Sequence, residues 1–276
     1  ALALKEACLV DEVVGVARRQ STRNAAERLG AADRTLADPQ EAVRGADLVY
    51  LATPVGTIVH HLHLIAGDLR EGCLVTDAGS VKAAICRTAA EALPERVCFA
   101  GGHPMAGSER SGPEAARADL FAGNVYFVVP AQPGGDEAVA RLVGLVKAIG
   151  GRPLLVDASE HDTILAATSH LPHAVAVATM LAVAELVPDE RQRADFSAGG
   201  LRDTTRIASA SPELWRDVFL ANAQDLTPAC RLTAELLREL ADAAEQGDKA
   251  RLLDLLARAQ MAREALSREL SGGQEP

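Results

Sequence analysis

The densest group of residues able to do chemistry is Phe99-Ala100-Gly101-Gly102-His103-Pro104-Met105-Ala106-Gly107-Ser108-Glu109. Its glycines let the backbone approach a ligand closely, and Pro104 stiffens the turn. The apolar run at residues 97–100 predicts that His103 sits just beyond a strand's carboxyl end, where open α/β sheets bind ligands. An imidazole with a reference pKa of about 6.5 accepts a proton at neutral pH. A lone histidine of this kind more often caps a turn, but the glycine and proline density here favours a site. Glu109 either orients a ligand or faces water.

Asp77-Ala78-Gly79-Ser80-Val81-Lys82 has the same strand-turn-helix placement. Its Ser80 hydroxyl either meets a polar ligand or caps the following helix. A third turn, Ala17-Arg18-Arg19-Gln20-Ser21-Thr22, lacks the acid that binds the adenosine ribose in NAD-binding folds. Arg18 and Arg19 with the Ser21 and Thr22 hydroxyls suit a 2′-phosphate, hence NADP; the alternative is a solvated basic turn. Thr53-Pro54 ends another apolar run and belongs with the cofactor-side candidates. Downstream, Arg202 or Arg206 in Gly199–Ile207 could clamp a carboxylate, or lie on a surface loop between helices. His60, His61 and His63, and likewise His161, His170 and His173, lack a completing carboxylate or cysteine, so no metal is expected.

These residues need elements to hold them. Apolar runs at residues 13–16, 48–52, 73–76, 97–100, 125–129 and 154–156 alternate with helical patterns at 21–29, 80–93 and 137–149. Continuous apolar strands between amphipathic helices predict a parallel, doubly wound sheet of Rossmann type. From about Ala158 strand signals give way to Ala/Leu-rich stretches at 161–187, 212–244 and 248–270, predicting an all-helical second domain. The expected division is therefore 1–157 and 158–276, with a frayed tail at 271–276.

Composition narrows the partners. The 276 residues hold 38 acidic and 28 basic side chains, a formal charge of −10. That gives no bulk attraction for nucleic acid or an anionic membrane, so any anionic substrate must be gathered by specific arginines. Cys8, Cys73, Cys86, Cys98 and Cys230 are odd in number and scattered, as expected of reduced thiols in a cytoplasmic protein. The apolar window at residues 174–186 is shorter than the roughly 20 residues needed to span a bilayer, and reads as a core or interface helix. Its surplus apolar surface predicts a homodimer through the helical half.

In combination, DAGSVK at residues 77–82, GGHPMAGSERSG at 101–112, SHLPH at 169–173 and GLRDTTRIA through PELW at 200–215 resemble the prephenate/arogenate dehydrogenase family. The resemblance spans nearly the whole chain. It implies a Rossmann-like domain, a helical dimerisation domain, and NAD(P)-dependent oxidative decarboxylation of prephenate or arogenate. It assigns the substrate hydroxyl to His103 with Ser80 as polar partner, and a substrate carboxylate to Arg206. It places His161, His173, Ser108, Glu109, Asp203 and Trp215 around the pocket. The family opens with a strand and a glycine-rich loop ahead of the helix that ALALKEACL resembles, so an upstream segment is expected. The alternatives are an enzyme accepting both substrates, a 3-hydroxyacid dehydrogenase using Lys82, and a binding module without cofactor.

Overall fold

Short apolar runs with amphipathic helices between them give seven strands and thirteen helices among the described residues, 1–107 and 112–272 of a computed structural model. Ser108 and Glu109 lie outside that set, as do residues 273–276. In chain order come α1 (Leu2–Glu6), β1 (Val14–Val16), α2 (Gln20–Arg28), β2 (Arg34–Leu36), α3 (Pro39–Val43), β3 (Leu48–Leu51) and α4 (Val55–Ile65). Next are β4 (Leu74–Asp77), α5 (Ala83–Ala92), β5 (Cys98–Pro104), β6 (Val125–Pro130), α6 (Gly135–Ala148) and β7 (Arg152–Leu155). The rest is helical: α7 (Ala158–Leu165), α8 (Leu171–Leu186), α9 (Glu190–Phe196), α10 (Gly199–Thr205), α11 (Pro212–Ala221), α12 (Ala223–Glu245) and α13 (Lys249–Gly272). The chain forms two compact units, residues 1–226 and 227–276.

The fold is a Rossmann-like domain followed by an all-helical one. β1 and β2 form a parallel pair, and β3-β4-β5-β6-β7 form a five-stranded sheet. One apolar layer packs Ile58, Leu62 and Ile65 of α4 and Ile85 of α5 against Val75 and Phe99, with Val218 of α11 joining it. The other face buries Leu74, Tyr126 and Val128 under Ala138, Leu142 and Val146 of α6. Each fully buried aliphatic side chain contributes roughly 1.5–3 kcal/mol, so these two layers fix the strand ends that carry the polar motifs.

Two expectations about the sheet need correction. It is not wholly parallel: β6 runs antiparallel to β5, pairing His103 with Phe127 and Gly102 with Val128. Among its described residues the β5–β6 connection contains only short 3-10 turns, at Pro113–Ala115 and Ala118–Phe121. Without a helical crossover the chain returns antiparallel. Because β6 runs back along it, β5 extends to Pro104, and His103 lies inside the strand rather than beyond its end.

Gly102 is required by close packing. A Cβ there would lie 2.5 Å from the Asp77 carbonyl oxygen and 2.9 Å from Tyr126 Oη. The Asp77 carbonyl is backbone of β4 and cannot withdraw without disturbing the sheet, so the strand beside His103 must be bare.

The apolar window at 174–186 belongs to a longer helical run. Ala158–Leu186 is continuous over 29 residues, with mean hydropathy of 1.4 in its best window, so by length and composition it is capable of crossing a membrane. The length argument against spanning is thereby overturned. Nor is the run a core helix: Leu181 is 62% and Leu186 81% exposed. Gly199–Ile207 is also not the surface loop offered as the alternative for Arg202 and Arg206; its first seven residues form α10, followed by a 3-10 turn, Arg206–Ser209.

Candidate active site

The site lies where β4 and β5 meet the run Ala158–Leu186. Asp157 caps α7 by accepting from the Ser159 and Glu160 amides. Nine residues separate His161 from His170, about two and a half α-helical turns, which would place them on opposite faces. A π-helical turn at Ala166–His170 breaks that regularity. Wider turns of this kind occur frequently at functional sites. His161, Asp162, His170 and His173 are all buried.

His103 meets this helix directly. Its Nδ1 lies 2.9 Å from His161 Nε2, and His161 Nδ1 lies 2.7 Å from Asp162 Oδ1. Asp162 spans to the other layer: its Oδ1 accepts from the Lys82 amide at 2.7 Å and its Oδ2 from the Ala83 amide at 2.8 Å. These are the opening amides of α5, which no side chain of its own caps. Ser80 is therefore not the helix cap, and Asp162 fills that role from a distant element.

Behind His103 lies an ion pair with no exposed surface, Lys82 Nζ on Asp77 Oδ2. Lys82 Nζ also donates to the Gly102 carbonyl at 2.6 Å, while the Asp77 carboxylate accepts from the Gly79 amide at 2.8 Å and the Gly102 amide at 3.1 Å. Lys82 is thus committed to holding β4 to β5. A catalytic lysine, as the 3-hydroxyacid dehydrogenase reading requires, would need a free ammonium, so that reading is set aside.

Burial holds His103 well below the usual imidazole range, reinforced by the nearby Lys82, His161 and His170. His103 is therefore neutral at physiological pH and able to accept a proton. Burial also pushes His170 down to about 4 and lowers His173. Asn222 Nδ2 donates to the Asp162 carbonyl at 2.8 Å and lies 3.1 Å from His170 Nδ1. Trp215 stacks on His173 with ring centroids 3.5 Å apart and planes tilted by 7°, and meets His170 edge-on. His170 Nε2 and His173 Nδ1 are buried without a hydrogen-bond partner, leaving polar capacity for a ligand.

Of the sequence candidates, His103 and His161 are in contact, and His173 and Trp215 join them through His170, Asn222 and Asp162. Ser80 is partly buried on the β4–α5 turn. Asp203 and Arg206 are exposed on α10 and the turn after it, elements packed against α8. On the cofactor side, Arg18 and Arg19 are exposed at the carboxyl end of β1, Ser21 and Thr22 lie in the first turn of α2, and Thr53-Pro54 open α4. Neither Ser21 nor Thr22 caps α2. Instead Arg23 shapes this turn by donating to the Ala17 and Arg18 carbonyls. The Thr53 hydroxyl is buried and unpartnered at the end of β3, which fits a group that binds at strand carboxyl ends.

Sequence reasoning missed Asp162, His170, Asn222 and Arg23. Asp162 stood next to a recognised histidine, but neighbours on a helix do not share a face, so adjacency was no signal. His170 was weighed only as a metal ligand.

Comparison with known proteins identifies the family of both halves of the chain. Residues 1–155 match the prephenate dehydrogenase nucleotide-binding domain, and residues 157–258 match the prephenate dehydrogenase dimerization domain. A cyclohexadienyl dehydrogenase from Zymomonas mobilis is 35% identical over 250 residues, covering 90% of this chain and 85% of that protein. A prephenate dehydrogenase from Bacillus subtilis is 36% identical over 226 residues; the match takes in 80% of this chain but 60% of the longer relative. Among solved structures, prephenate dehydrogenase from Aquifex aeolicus in complex with hydroxyphenyl propionate and NAD+ is similar with a TM-score of 0.86 and 26% identity, covering 96% of this chain and 92% of that one. With both family domains matched in order around the His103 site, the chain belongs to the prephenate dehydrogenase family.

Proposed function

We propose that the protein catalyses the NAD(P)-dependent oxidative decarboxylation of prephenate to 4-hydroxyphenylpyruvate in tyrosine biosynthesis. The observation that carries the reading is His103: neutral, buried, tied through Nδ1 to His161, and therefore left with Nε2 for a substrate hydroxyl. A bound nicotinamide supplies the acceptor for the hydride on the hydroxyl-bearing carbon. His103 takes the hydroxyl proton as the carbonyl forms. Loss of CO2 then leaves its electron pair in the ring, and the resulting phenolate takes the proton back from His103, so no net proton is lost. Ser80 is the polar partner of this step. Arg206 binds a substrate carboxylate, with Asp203, His161, His173 and Trp215 forming the pocket wall; Ser108 and Glu109 belong to the same proposed set.

Residues 1–157 serve the dinucleotide and 158–276 the substrate and dimerisation. Thr53 and Pro54 meet the cofactor at the end of β3. Arg18 and Arg19 with Ser21 and Thr22 favour NADP, since no carboxylate lies between residues 17 and 22 to repel a 2′-phosphate. The homodimer is supported by the matched dimerization domain and by the exposed Leu181, Leu186 and Leu220. The same reading takes the location as cytoplasmic, with neither nucleic acid nor membrane as partner; the acidic charge and the hydrogen bonds from Ala158–Leu186 to β5 and α5 support it.

Steady-state kinetics with prephenate and arogenate, each with both nicotinamides, test the assignment. Turnover of prephenate with higher kcat/KM for NADP is expected. The Arg18→Ala, Ser21→Ala double variant should lose roughly 1.5–3 kcal/mol of that preference per charge-assisted hydrogen bond removed. Turnover of arogenate alone would move the assignment to arogenate dehydrogenase. Preference for NAD, or a variant that loses nothing with NADP, refutes the cofactor reading.

A further inference from the structure

We propose that Asp162 is a positioning residue that sets the protonation pattern of the His103–His161 pair and so makes His103 Nε2 the base. The inference rests on the reading of His103 given above. Asp162 Oδ1 is 2.7 Å from His161 Nδ1 and 2.7 Å from the Lys82 amide, while Oδ2 is 2.8 Å from the Ala83 amide. Two backbone donors at the opening of a ten-residue helix fix the carboxylate in place. A carboxylate is an acceptor only, so His161 must carry its proton on Nδ1.

The rest is a chain of single consequences. A neutral imidazole with Nδ1 protonated has a bare Nε2. His161 Nε2 then accepts from His103 across 2.9 Å, which requires a proton on His103 Nδ1. His103 Nε2 is in turn bare and available to a substrate hydroxyl. When His103 takes that proton at Nε2, its Nδ1–H remains donated to His161. The positive charge is balanced by Asp162 two hydrogen bonds away, and no proton needs to move along the chain. Holding both rings in the Nδ1–H form is work for the protein, and Asp162 is the only anion in contact with His161 among the described residues.

The arrangement also links the two halves of the enzyme. Asp162 lies on α7, whereas the amides it holds open α5 and His103 lies on β5. Its backbone carbonyl is held by Asn222 at 2.8 Å. A small shift of α7 against α5 therefore changes the base itself as well as the pocket wall.

Two measurements test this. In the wild-type protein labelled with 15N-histidine, long-range proton–nitrogen spectra at neutral pH should show Nδ1 protonated and Nε2 bare for both rings. The rings are assigned with the His103→Asn and His161→Asn variants. A proton on Nε2 of neutral His103 or His161, or a doubly protonated His161, overturns the proposal, whichever substrate the enzyme uses. The second measurement is Asp162→Asn. However its amide is turned, one N–H opposes a helix amide, and the balancing charge is gone. The variant should lose about 10²-fold in kcat, at the lower end of what a positioned base contributes. Substrate KM should stay within about threefold. A purely structural cap would lower the melting temperature without this split, and kcat retained within threefold overturns the proposal. Should the variant fail to fold, the wild-type spectra decide. Correct tautomers in a protein that does not turn over prephenate would instead sink the functional reading and leave the positioning intact.

Discussion

Replacing Lys82 by Met separates a structural lysine from a catalytic one. Methionine keeps the apolar stem, with sulfur in place of one methylene, and removes the ammonium. Two interactions are lost, the pair with Asp77 and the donor to the Gly102 carbonyl at 2.6 Å, and Asp77 stays buried with only the Gly79 and Gly102 amides. Removing one partner of a buried pair costs about 3–5 kcal/mol, because the remaining charge is uncompensated. The orphaned carbonyl alone accounts for roughly 1–3 kcal/mol of that sum. Two amides still solvate Asp77, which places the expectation near 3 kcal/mol rather than 5. Trp215 is the chain's single tryptophan and packs against His173 and Phe219, so its fluorescence reports the urea transition. Asp77→Asn should cost less in the Lys82→Met background than in wild type, since it then removes an unpaired charge. The folded variant should keep kcat within tenfold. A loss of stability below about 1 kcal/mol would refute the ion-pair account. A kcat loss beyond 10³-fold with stability retained would make Lys82 an acid or base.

Three further outcomes follow from the same geometry. His103→Asn should lower kcat by about 10²–10⁴-fold with cofactor binding intact. Because burial lowers the His103 pKa, its neutral form persists on acidification, so the acid limb of kcat/KM should lie below about pH 6.5; a limb at or above that value contradicts the assignment. Arg206→Ala should raise substrate KM about 10- to 100-fold, the equivalent of 1.5–3 kcal/mol for a charge-assisted contact present from first binding; an unchanged KM moves the clamp to Arg202. Gly102→Ala should cost about 1–3 kcal/mol or more, because the added Cβ meets backbone 2.5 Å away, and a thermal scan showing wild-type stability would disprove that packing.

The strands that sequence reasoning found are those with continuous apolar runs, because burial on both faces leaves that imprint. Arg34–Leu36 left none: a three-residue edge pair with an arginine is too short for periodicity to register. The reversal of β6 was equally illegible, since apolar patterning records which faces are buried and not which way a strand runs. The Gly101-Gly102-His103 motif pointed to the site because Gly102 answers a local demand, the Asp77 carbonyl packed where a Cβ would stand. Asp162 answers a distant one, the open amides of α5 eighty residues away in sequence, which only the folded chain brings near.

The run Ala158–Leu186 shows why a uniform composition concealed a divided task. Its N-terminal half carries Asp162 on the α5 amides, His161 on His103 and His170 on Asn222. Its C-terminal half carries Leu181 and Leu186 in the open. Alanines between them make every face apolar, so no amphipathic stripe marks where one role ends and the other begins. The π-turn is where the two regimes meet, just before Pro172 opens the regular helix. A partner copy seated on the exposed leucines would bear on the same helical run that carries His161 and Asp162. On the two readings proposed above, assembly and the protonation of the base would share one element, the run Ala158–Leu186.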